Sequence, residues 1–394
     1  MHRVLVLEQG EGVWGAQKCL LRLAPLLADR GVELVLAGAE GTPLSDAWKS
    51  TGLPLIPISR PSRHSVRTGG DSGGLDPRLI QRELRNSLRA SRRIAELARS
   101  NGCSAILGND HWSHLEASMA GLAARRPAVL QLHEETMPGL ARHFRACSVR
   151  MAAATMAVSN AVAAQVPLWA RGAVHRVPNG VDTNVFRPGP ADLVARSGMT
   201  GDSSAFLVLV MSRLDRPKGV DQVIRAAASI PKSARRIHLA VAGETTVDPD
   251  YAAEVRELGR QLLGDRVRFL GARDDIPSLL RSADALALGS SLEGMPLSIL
   301  EAQASRLPVV AYSTAGVPEL IENEVTGFLV NRGDITGLAA AIDRLASDRA
   351  LCEQLAGAAY ERILADFSLS RQADTQAAIF RRVMPAPTAL AVAR

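Results

Sequence analysis

Short apolar runs alternate with amphipathic stretches along almost the whole chain. The first half contains six predicted strands, at 4–8, 32–38, 54–58, 104–108, 128–133 and 155–159. The second half contains six more, at 206–212, 238–243, 267–271, 285–290, 308–312 and 327–330. Because these runs lack polar alternation and are joined by helical stretches, they indicate parallel sheets that are covered on both faces. Two such series predict an α/β chain with two Rossmann-like domains.

A stretch rich in Pro, Gly and Asn, VPNGVDTNVFRPGPA, separates the two series and is expected to link the domains. We therefore predict an N-terminal domain at 1–186 and a C-terminal domain at 187–366. A last amphipathic helix is expected at 367–384, followed by a flexible tail at 385–394.

The composition agrees with two soluble domains. The chain has 394 residues, of which 47% are apolar, so two cores can form without disulfides. The four cysteines have no paired spacing, which is typical of a reducing compartment. We found no signal-peptide pattern and no apolar run long enough to span a bilayer. These features predict a cytoplasmic protein.

The stretch SLEGMPLSILEAQASRLPVVAY, at 291–312, carries the most informative pair of acids. Glu293 lies in a loop before a predicted helix, and Glu301 lies inside that helix. The free amides at a helix N-terminus favour anions. Amides for phosphate and carboxylates for hydroxyl groups together suit a phosphorylated sugar nucleotide.

A second polar turn, in VMSRLDRPKGVDQVI, follows a predicted strand and contains Arg213 and Lys218. Open α/β sheets bind ligands at the carboxyl ends of their strands, where both cations are expected to lie. Lysine is rare in this chain, which makes Lys218 more notable. An isolated pair of this kind usually belongs to a solvated loop, but beside Glu293 and Glu301 it indicates a binding site.

These motifs closely resemble those of retaining GT-B glycosyltransferases of family 4 (glycosyltransferase group 1), and the resemblance covers about residues 3–383. It implies two Rossmann-like domains that face each other across a deep cleft, with a C-terminal helix crossing back to the first. It also implies sugar transfer from a UDP- or GDP-type nucleotide sugar to a hydroxyl acceptor, without a metal or another cofactor. The acceptor would bind the first domain and the donor the second.

The resemblance also assigns roles to individual residues. Arg213 and Lys218 would hold the donor diphosphate, and Glu301 would accept hydrogen bonds from the ribose. Glu293 would face the transferred sugar. The remaining donor-side residues implied are Gly15, Ala16, His133, Gly243, Arg273, Gly294, Met295, Pro296 and Leu297. Among these, His133 would touch the sugar near the reacting carbon, and Pro296 has no N–H to donate.

Two other enzyme classes stay open. Gly10, Gly12 and Gly15 form a G-x-G-x-x-G pattern after a strand, which is typical of dinucleotide binding, and Glu40 could then bind the ribose. Trp14 is bulky for such a loop, and an NAD-dependent oxidoreductase leaves the second domain's diphosphate site unexplained. The other alternative is a nucleotide-sugar epimerase with the GT-B fold.

Two further features concern the acceptor and metals. Trp14, His111 and His114 are candidates for the acceptor side. Asp248-Pro249-Asp250 matches the D-x-D of metal-dependent transferases, but we interpret Asp250 as a helix N-cap and predict no catalytic metal.

An arginine stripe is the least expected feature of the sequence. After Asp76-Pro77, arginines recur at helical spacing along one face, at Arg78, Arg82, Arg85, Arg89 and Arg92. Another face of the helix is expected to hold Ile80, Leu84, Leu88 and Ala95. The stripe is either a solvated basic face or the binding surface for an anionic partner, such as the inner face of a membrane. Few aromatics accompany it, so nucleic acid is not expected.

Overall fold

The computed structural model describes residues 1–58, 77–136, 139–231, 236–244 and 247–384, and it divides into two compact units. Unit 1 comprises Met1–Pro178 and the segment from Gln372 onward, and unit 2 comprises Asn179–Arg371. The predicted tail at 385–394, the residue Asp76 and the glycine-rich segment at 67–74 lie outside the described residues.

Unit 1 is a seven-stranded parallel sheet with the strand order β3-β2-β1-β4-β5-β6-β7. Its strands are β1 His2–Leu7, β2 Val32–Gly38, β3 Leu55–Pro57, β4 Ala105–Gly108, β5 Ala128–Leu132, β6 Ala154–Ala157 and β7 Val174–Arg176. Its helices are α1 Gly15–Asp29, α2 Pro43–Lys49, α3 Pro77–Ser100, α4 His114–Ala124, α5 Leu140–Met151 and α6 Asn160–Ala164.

The central strands of unit 1 are buried on both faces, which explains why they read as continuous apolar runs. The last helix, α14 Leu369–Val383, joins this unit through side chains rather than through the sheet. Arg30 Nε pairs with Asp374 Oδ1 at 2.6 Å, and Gln376 Nε2 donates to Gln131 Oε1 at 3.4 Å.

Unit 2 is a six-stranded parallel sheet with the strand order β10-β9-β8-β11-β12-β13. Its strands are β8 Phe206–Met211, β9 Ile237–Ala242, β10 Val267–Gly271, β11 Ala285–Leu288, β12 Val309–Tyr312 and β13 Phe328–Val330. Its helices are α7 Leu193–Met199, α8 Val220–Ser229, α9 Pro249–Leu263, α10 Ile276–Ser282, α11 Leu297–Ala304, α12 Ile335–Ser347 and α13 Arg349–Asp366. Apolar side chains from the strands, α8, α9 and α12 form its core.

The structure confirms two Rossmann-like domains and differs from the prediction in two details. Strand β7 was not predicted, since its three residues are only partly buried. The N-cap of α9 is Asp248, which accepts from the backbone N–H of Tyr251 at 3.1 Å, so the assignment of Asp250 as the cap was wrong. Leu84 and Leu88, which the sequence places on the apolar face of α3, are exposed.

Across the described ranges, no helix is both long enough and apolar enough to cross a lipid bilayer.

Candidate functional site

The chemistry of unit 2 gathers where the strand order changes direction. Strands β8 and β11 are neighbours, but the chain leaves β8 toward β9 on one side and β11 toward β12 on the other. The connections diverge at this point and leave a crevice at the carboxyl ends of the two strands. The turn with Arg213 and Lys218 follows β8, and the loop with Glu293 follows β11.

Two glycines allow these connections to lie against each other. Gly219 has a φ of +59°, and a Cβ built there would lie 2.0 Å from the carbonyl oxygen of Gly289. A Cβ on Gly289 would in turn lie 2.4 Å from the oxygen of Gly219. The backbone N–H of Ser291 donates to the oxygen of Pro217 at 2.8 Å and fixes the contact. Only glycine at both positions permits this approach.

The two connections also exchange an ion pair. Lys218 Nζ donates to Glu293 Oε1 at 2.8 Å, and both side chains are largely buried. Arg213 lies in the same turn, where its Nε is 3.1 Å from the carboxylate of Asp215. The turn therefore holds two cations at the crevice, and acidic side chains of the same unit orient both.

The loop before α11 is held from a distant part of unit 2. The side chain of Asn179 donates to the carbonyl oxygen of Met295 at 2.9 Å, and its backbone N–H contacts the sulfur of Met295 at 3.3 Å. Gly294, Met295 and Pro296 are buried, and Pro296 is the N-cap of α11. The first amides of α11, beginning at Leu297, lie at the carboxyl end of β11.

The other predicted donor residues of unit 2 differ in their surroundings. Glu301 is buried inside α11, as its apolar neighbours predicted. Gly243 follows β9 with a φ of +150°, and a Cβ there would lie 1.9 Å from the oxygen of Ser212, so it packs against the end of β8. Arg273 forms a bidentate ion pair with Asp275, at 2.8 and 2.6 Å.

Unit 1 has its own polar cluster at the corresponding strand ends. His133 Nε2 lies 3.2 Å from Asn109 Oδ1, and Asn109 Nδ2 donates to Glu8 Oε2 at 2.6 Å. Glu8 Oε1 accepts from the backbone N–H of Gly10 at 2.9 Å and from Gln17 Nε2 at 3.1 Å. These hydrogen bonds link the ends of β5, β4 and β1 to the glycine-rich loop, which contains Gly10, Gly12 and Gly15.

Glu8 shares a hydrogen bond with Asp110, and the pair holds one proton. Burial and the nearby charge of Asp110 raise the pKa of Glu8 to about 9. Burial opposes ionisation of Asp110 as well, but hydrogen bonds from Glu8, Gln9 N–H and Ser113 N–H outweigh it and lower its pKa. At neutral pH Glu8 is therefore the neutral donor and Asp110 the anion.

The three predicted histidines of unit 1 are not equivalent. Burial lowers the pKa of His133 to about 4 and that of His114 to about 3, so both rings are neutral at neutral pH. His114 is fully buried and bonds to the oxygen of Gln131 at 3.0 Å, which fits a structural role. His111 is exposed, its Nδ1 lies 3.2 Å from Glu134 Oε1, and its ring contacts that of Trp112 at a tilt of 43°.

The glycine-rich loop of unit 1 ends at a bulky side chain. The indole of Trp14 folds back, so that a Cβ on Gly12 would lie 2.5 Å from its Nε1. Gly15 and Ala16 begin α1, where the first amides have no intrahelical acceptor. Glu40 lies beyond β2, exposed and 3.8 Å from Lys49 Nζ.

The structure thus brings Lys218, Glu293 and the start of α11 together in unit 2, and His133 and the glycine-rich loop together in unit 1. Sequence reasoning missed four residues that build these clusters, namely Glu8, Asn109, Asp110 and Asn179. A charged residue at the end of an apolar strand, as in VLVLE, is the one signal that pointed to Glu8. Within the described residues, no group of three or more His, Cys, Asp or Glu side chains is arranged to hold a metal ion.

Comparison with known protein families matches both halves of the chain. Residues 13–185 match the model described as Glycosyltransferase Family 4, and residues 200–362 match the model described as Glycosyl transferases group 1. With the two sheets described above, these matches define a GT-B protein. The chain belongs to the GT-B glycosyltransferases of group 1.

Curated relatives carry the same class name. Alpha-D-kanosaminyltransferase of Streptomyces kanamyceticus is 33% identical over 179 residues, which cover 45% of this chain and 46% of the relative. D-inositol 3-phosphate glycosyltransferase of Mycobacterium marinum is 32% identical over 212 residues, covering 52% and 44%. The chain therefore spans about half the length of the curated relatives it matches.

Solved structures extend the likeness of fold to nearly the whole chain. Anabaena HepE in complex with UDP superposes with a TM-score of 0.79 at 23% identity, covering 97% of this chain and 100% of that one. A glycosyltransferase from Rickettsia africae gives a TM-score of 0.80 at 19% identity, covering 97% and 98%. Neither the epimerase nor the oxidoreductase alternative is favoured by these comparisons.

Proposed function

We propose that the chain is a retaining glycosyltransferase that moves a sugar from a nucleotide-diphosphate sugar to a hydroxyl acceptor. The observation that carries this proposal is the pairing of Lys218 with Glu293, beside Arg213, at the strand-order reversal of unit 2. The two cations can hold phosphate there, and the loop that contains the carboxylate leads into the N-terminus of α11, whose free amides favour anions. UDP is the first nucleotide to test, because HepE was crystallised with UDP and with UDP-glucose.

Each group has a defined task in this reaction. The bond between the anomeric carbon and the diphosphate oxygen breaks, and negative charge grows on the leaving diphosphate. Arg213, Lys218 and the first amides of α11 stabilise that charge and so lower the barrier. Glu301 accepts hydrogen bonds from the ribose, and Glu293 faces the sugar. The acceptor oxygen bonds to the anomeric carbon on the same face, and its proton passes to the leaving diphosphate.

We assign the acceptor to unit 1, beside the cluster of Glu8, Asn109 and His133. Because His133 is neutral, it can exchange hydrogen bonds with sugar hydroxyls but supplies no positive charge at neutral pH. The reaction as proposed uses no metal. Specificity for the base and sugar is assigned to the region around Gly243, Arg273 and Met295.

Thermal stabilisation by nucleotides tests the donor site. Purified protein is heated with UDP, GDP, ADP, dTDP or NAD, each without metal. A ligand at 100 times its Kd stabilises the folded state by about 2.7 kcal/mol, which is a visible shift. A shift with one nucleoside diphosphate, absent in Lys218→Ala, supports the proposal. A shift with NAD alone would overturn it, and turnover of the nucleotide sugar without any acceptor would indicate an epimerase.

A further inference from the structure

Helix α3 presents a strongly basic surface. Over Pro77–Ser100 the sequence has seven arginines and two glutamates, an excess of five positive charges. All seven arginines are exposed. We define the α3 basic face as Arg78, Arg82, Arg85, Arg89, Arg92 and Arg93, together with the exposed Leu84 and Leu88. From Arg78 to Arg93 it extends about 22 Å along the helix.

Most of this charge is not neutralised by side chains that the structure describes. Arg82 lies 3.6 Å from Glu83 Oε1, and Glu96 is the other acid of the helix. Across the described ranges, Arg85, Arg89, Arg92 and Arg93 have neither an ion-pair partner nor a hydrogen-bond acceptor. Like charges this close repel one another, so the face is expected to bind anions.

The opposite side of α3 explains why the leucines are exposed. Ser87, Ser91, Ile94, Ala95 and Ala98 face inward. The side chain of Ser87 donates to Glu116 Oε1 of α4 at 2.9 Å, and α3 packs along α4. Small and polar residues make this seam, and the larger Leu84 and Leu88 stay outside it, with 42% and 51% of their surface exposed.

The leucines and arginines share one surface. Leu88 is three residues after Arg85 and four before Arg92, so these side chains are neighbours on the helix. Leu84 is in turn the neighbour of Leu88. An apolar strip that adjoins exposed arginines is typical of helices that lie in the interface of a membrane. A soluble polyanion offers no apolar region for the leucines.

The surface continues onto α4. Arg99 Nη1 donates to the oxygen of Ala123 at 3.0 Å and joins the last turns of the two helices. There Leu122 is 62% exposed, and Arg125 and Arg126 are exposed beside it. The same combination of leucine and arginine thus recurs at the other end of α3.

From these observations we infer that the α3 basic face docks unit 1 on an anionic lipid surface, with the arginines against headgroups and Leu84 and Leu88 at the acyl boundary. This goes beyond the proposed transfer reaction and does not depend on it.

Vesicle co-sedimentation of the full chain tests the inference. The two vesicle types are phosphatidylcholine alone and equimolar phosphatidylcholine and phosphatidylglycerol. We expect binding to the anionic vesicles only, weakened by salt. Each arginine near an anionic surface contributes about fivefold in affinity, so Arg85→Gln with Arg89→Gln should weaken binding about 25-fold. Arg381→Gln with Arg382→Gln changes the net charge equally on exposed positions of α14 and should leave binding within about twofold.

A leucine pair distinguishes lipid from a soluble polyanion. Leu84→Ser with Leu88→Ser keeps the charge and should weaken vesicle binding several-fold, while binding to heparin stays unchanged. Equal, poor binding to both vesicle types at low salt would overturn the inference, as would an equal loss in the α14 control. Vesicle binding that the leucine pair leaves unchanged would also overturn it, in favour of a soluble polyanion. The thermal shift with nucleotides is measured without vesicles, so the two proposals fail separately.

Discussion

Lys218 Nζ donates a hydrogen bond to Glu293 Oε1 at 2.8 Å, although 75 residues separate them in the chain. The contact joins the turn after β8 to the loop before α11. It places a cation and a carboxylate side by side, and the proposed reaction assigns the cation to the leaving diphosphate and the carboxylate to the sugar.

Replacing Lys218 with Ala should lower kcat by about 10² to 10³-fold, because one of the fixed donors that stabilise the leaving group is lost. It should also abolish the thermal shift with nucleoside diphosphate. Arg216→Ala is the matched control: Arg216 lies in the same turn but is exposed and pairs with Glu254 at 3.0 Å. A Lys218→Ala enzyme with a near-normal rate would show that the diphosphate assignment is wrong.

Glu8 should make the folded state less stable as pH rises. Its pKa is about 9 in the folded state and 4.5 without the fold, so between these values the unfolded state has lost a proton that the folded state keeps. The free energy of unfolding then falls by up to about 1.4 kcal/mol per pH unit from this group.

In Glu8→Gln this pH dependence should be absent. Urea unfolding between pH 5 and pH 9 measures the free energy of unfolding of both proteins. Glu33→Gln is the control, because Glu33 is a partly exposed acid that pairs with Arg3 in the same unit. A difference in stability between wild type and Glu8→Gln that stays constant with pH would contradict the shared proton.

Gly219→Ala should destabilise unit 2 far more than the backbone conformation alone explains. A left-handed φ costs an alanine about 1–2 kcal/mol, but here the new Cβ would also overlap the Gly289 oxygen at 2.0 Å. Gly333→Ala is the control, since Gly333 has a φ of +83° and no atom within 4 Å of its Cβ position. Urea unfolding of both variants compares them, and equal losses would contradict the close approach.

Transfer should proceed at full rate in excess EDTA if the diphosphate is neutralised by Arg213 and Lys218 rather than by a metal. Loss of activity in EDTA that manganese restores would refute the proposed metal independence.

Asp248→Ala should cost about 1 kcal/mol of stability, because it removes the cap of α9, but should leave kcat unchanged.

The fold was largely predictable because buried parallel strands read as uninterrupted apolar runs. Strand β7 was not predicted because Val174, His175 and Arg176 are only partly buried or exposed, so their sequence resembles a loop. The exposure of Leu84 and Leu88 was not predictable from helical spacing alone. Ser87 and its buried partner Glu116 occupy the inner seam in their place, and that pairing joins residues 29 apart.

The residues of the proposed donor side could be named from the sequence more readily than those of the cluster in unit 1. Arg213, Lys218, Glu293 and Glu301 lie in two short motifs with recognisable spacing. Glu8 and Asp110 lie 102 residues apart, and each alone resembles an ordinary acid after a strand. Only the pairing of β1 with β4 places them together and moves their pKa values in opposite directions.

Unit 2 is an insertion in the sequence of unit 1, and its own first and last segments lie side by side. Val181 N–H donates to the oxygen of Phe367 at 2.8 Å, and Leu369 N–H donates to the oxygen of Val181 at 2.9 Å. The chain returns to unit 1 only at Gln372, within the last helix. On the ribosome, the unit whose synthesis begins first is therefore completed last, because its final helix follows the whole of unit 2 in the chain.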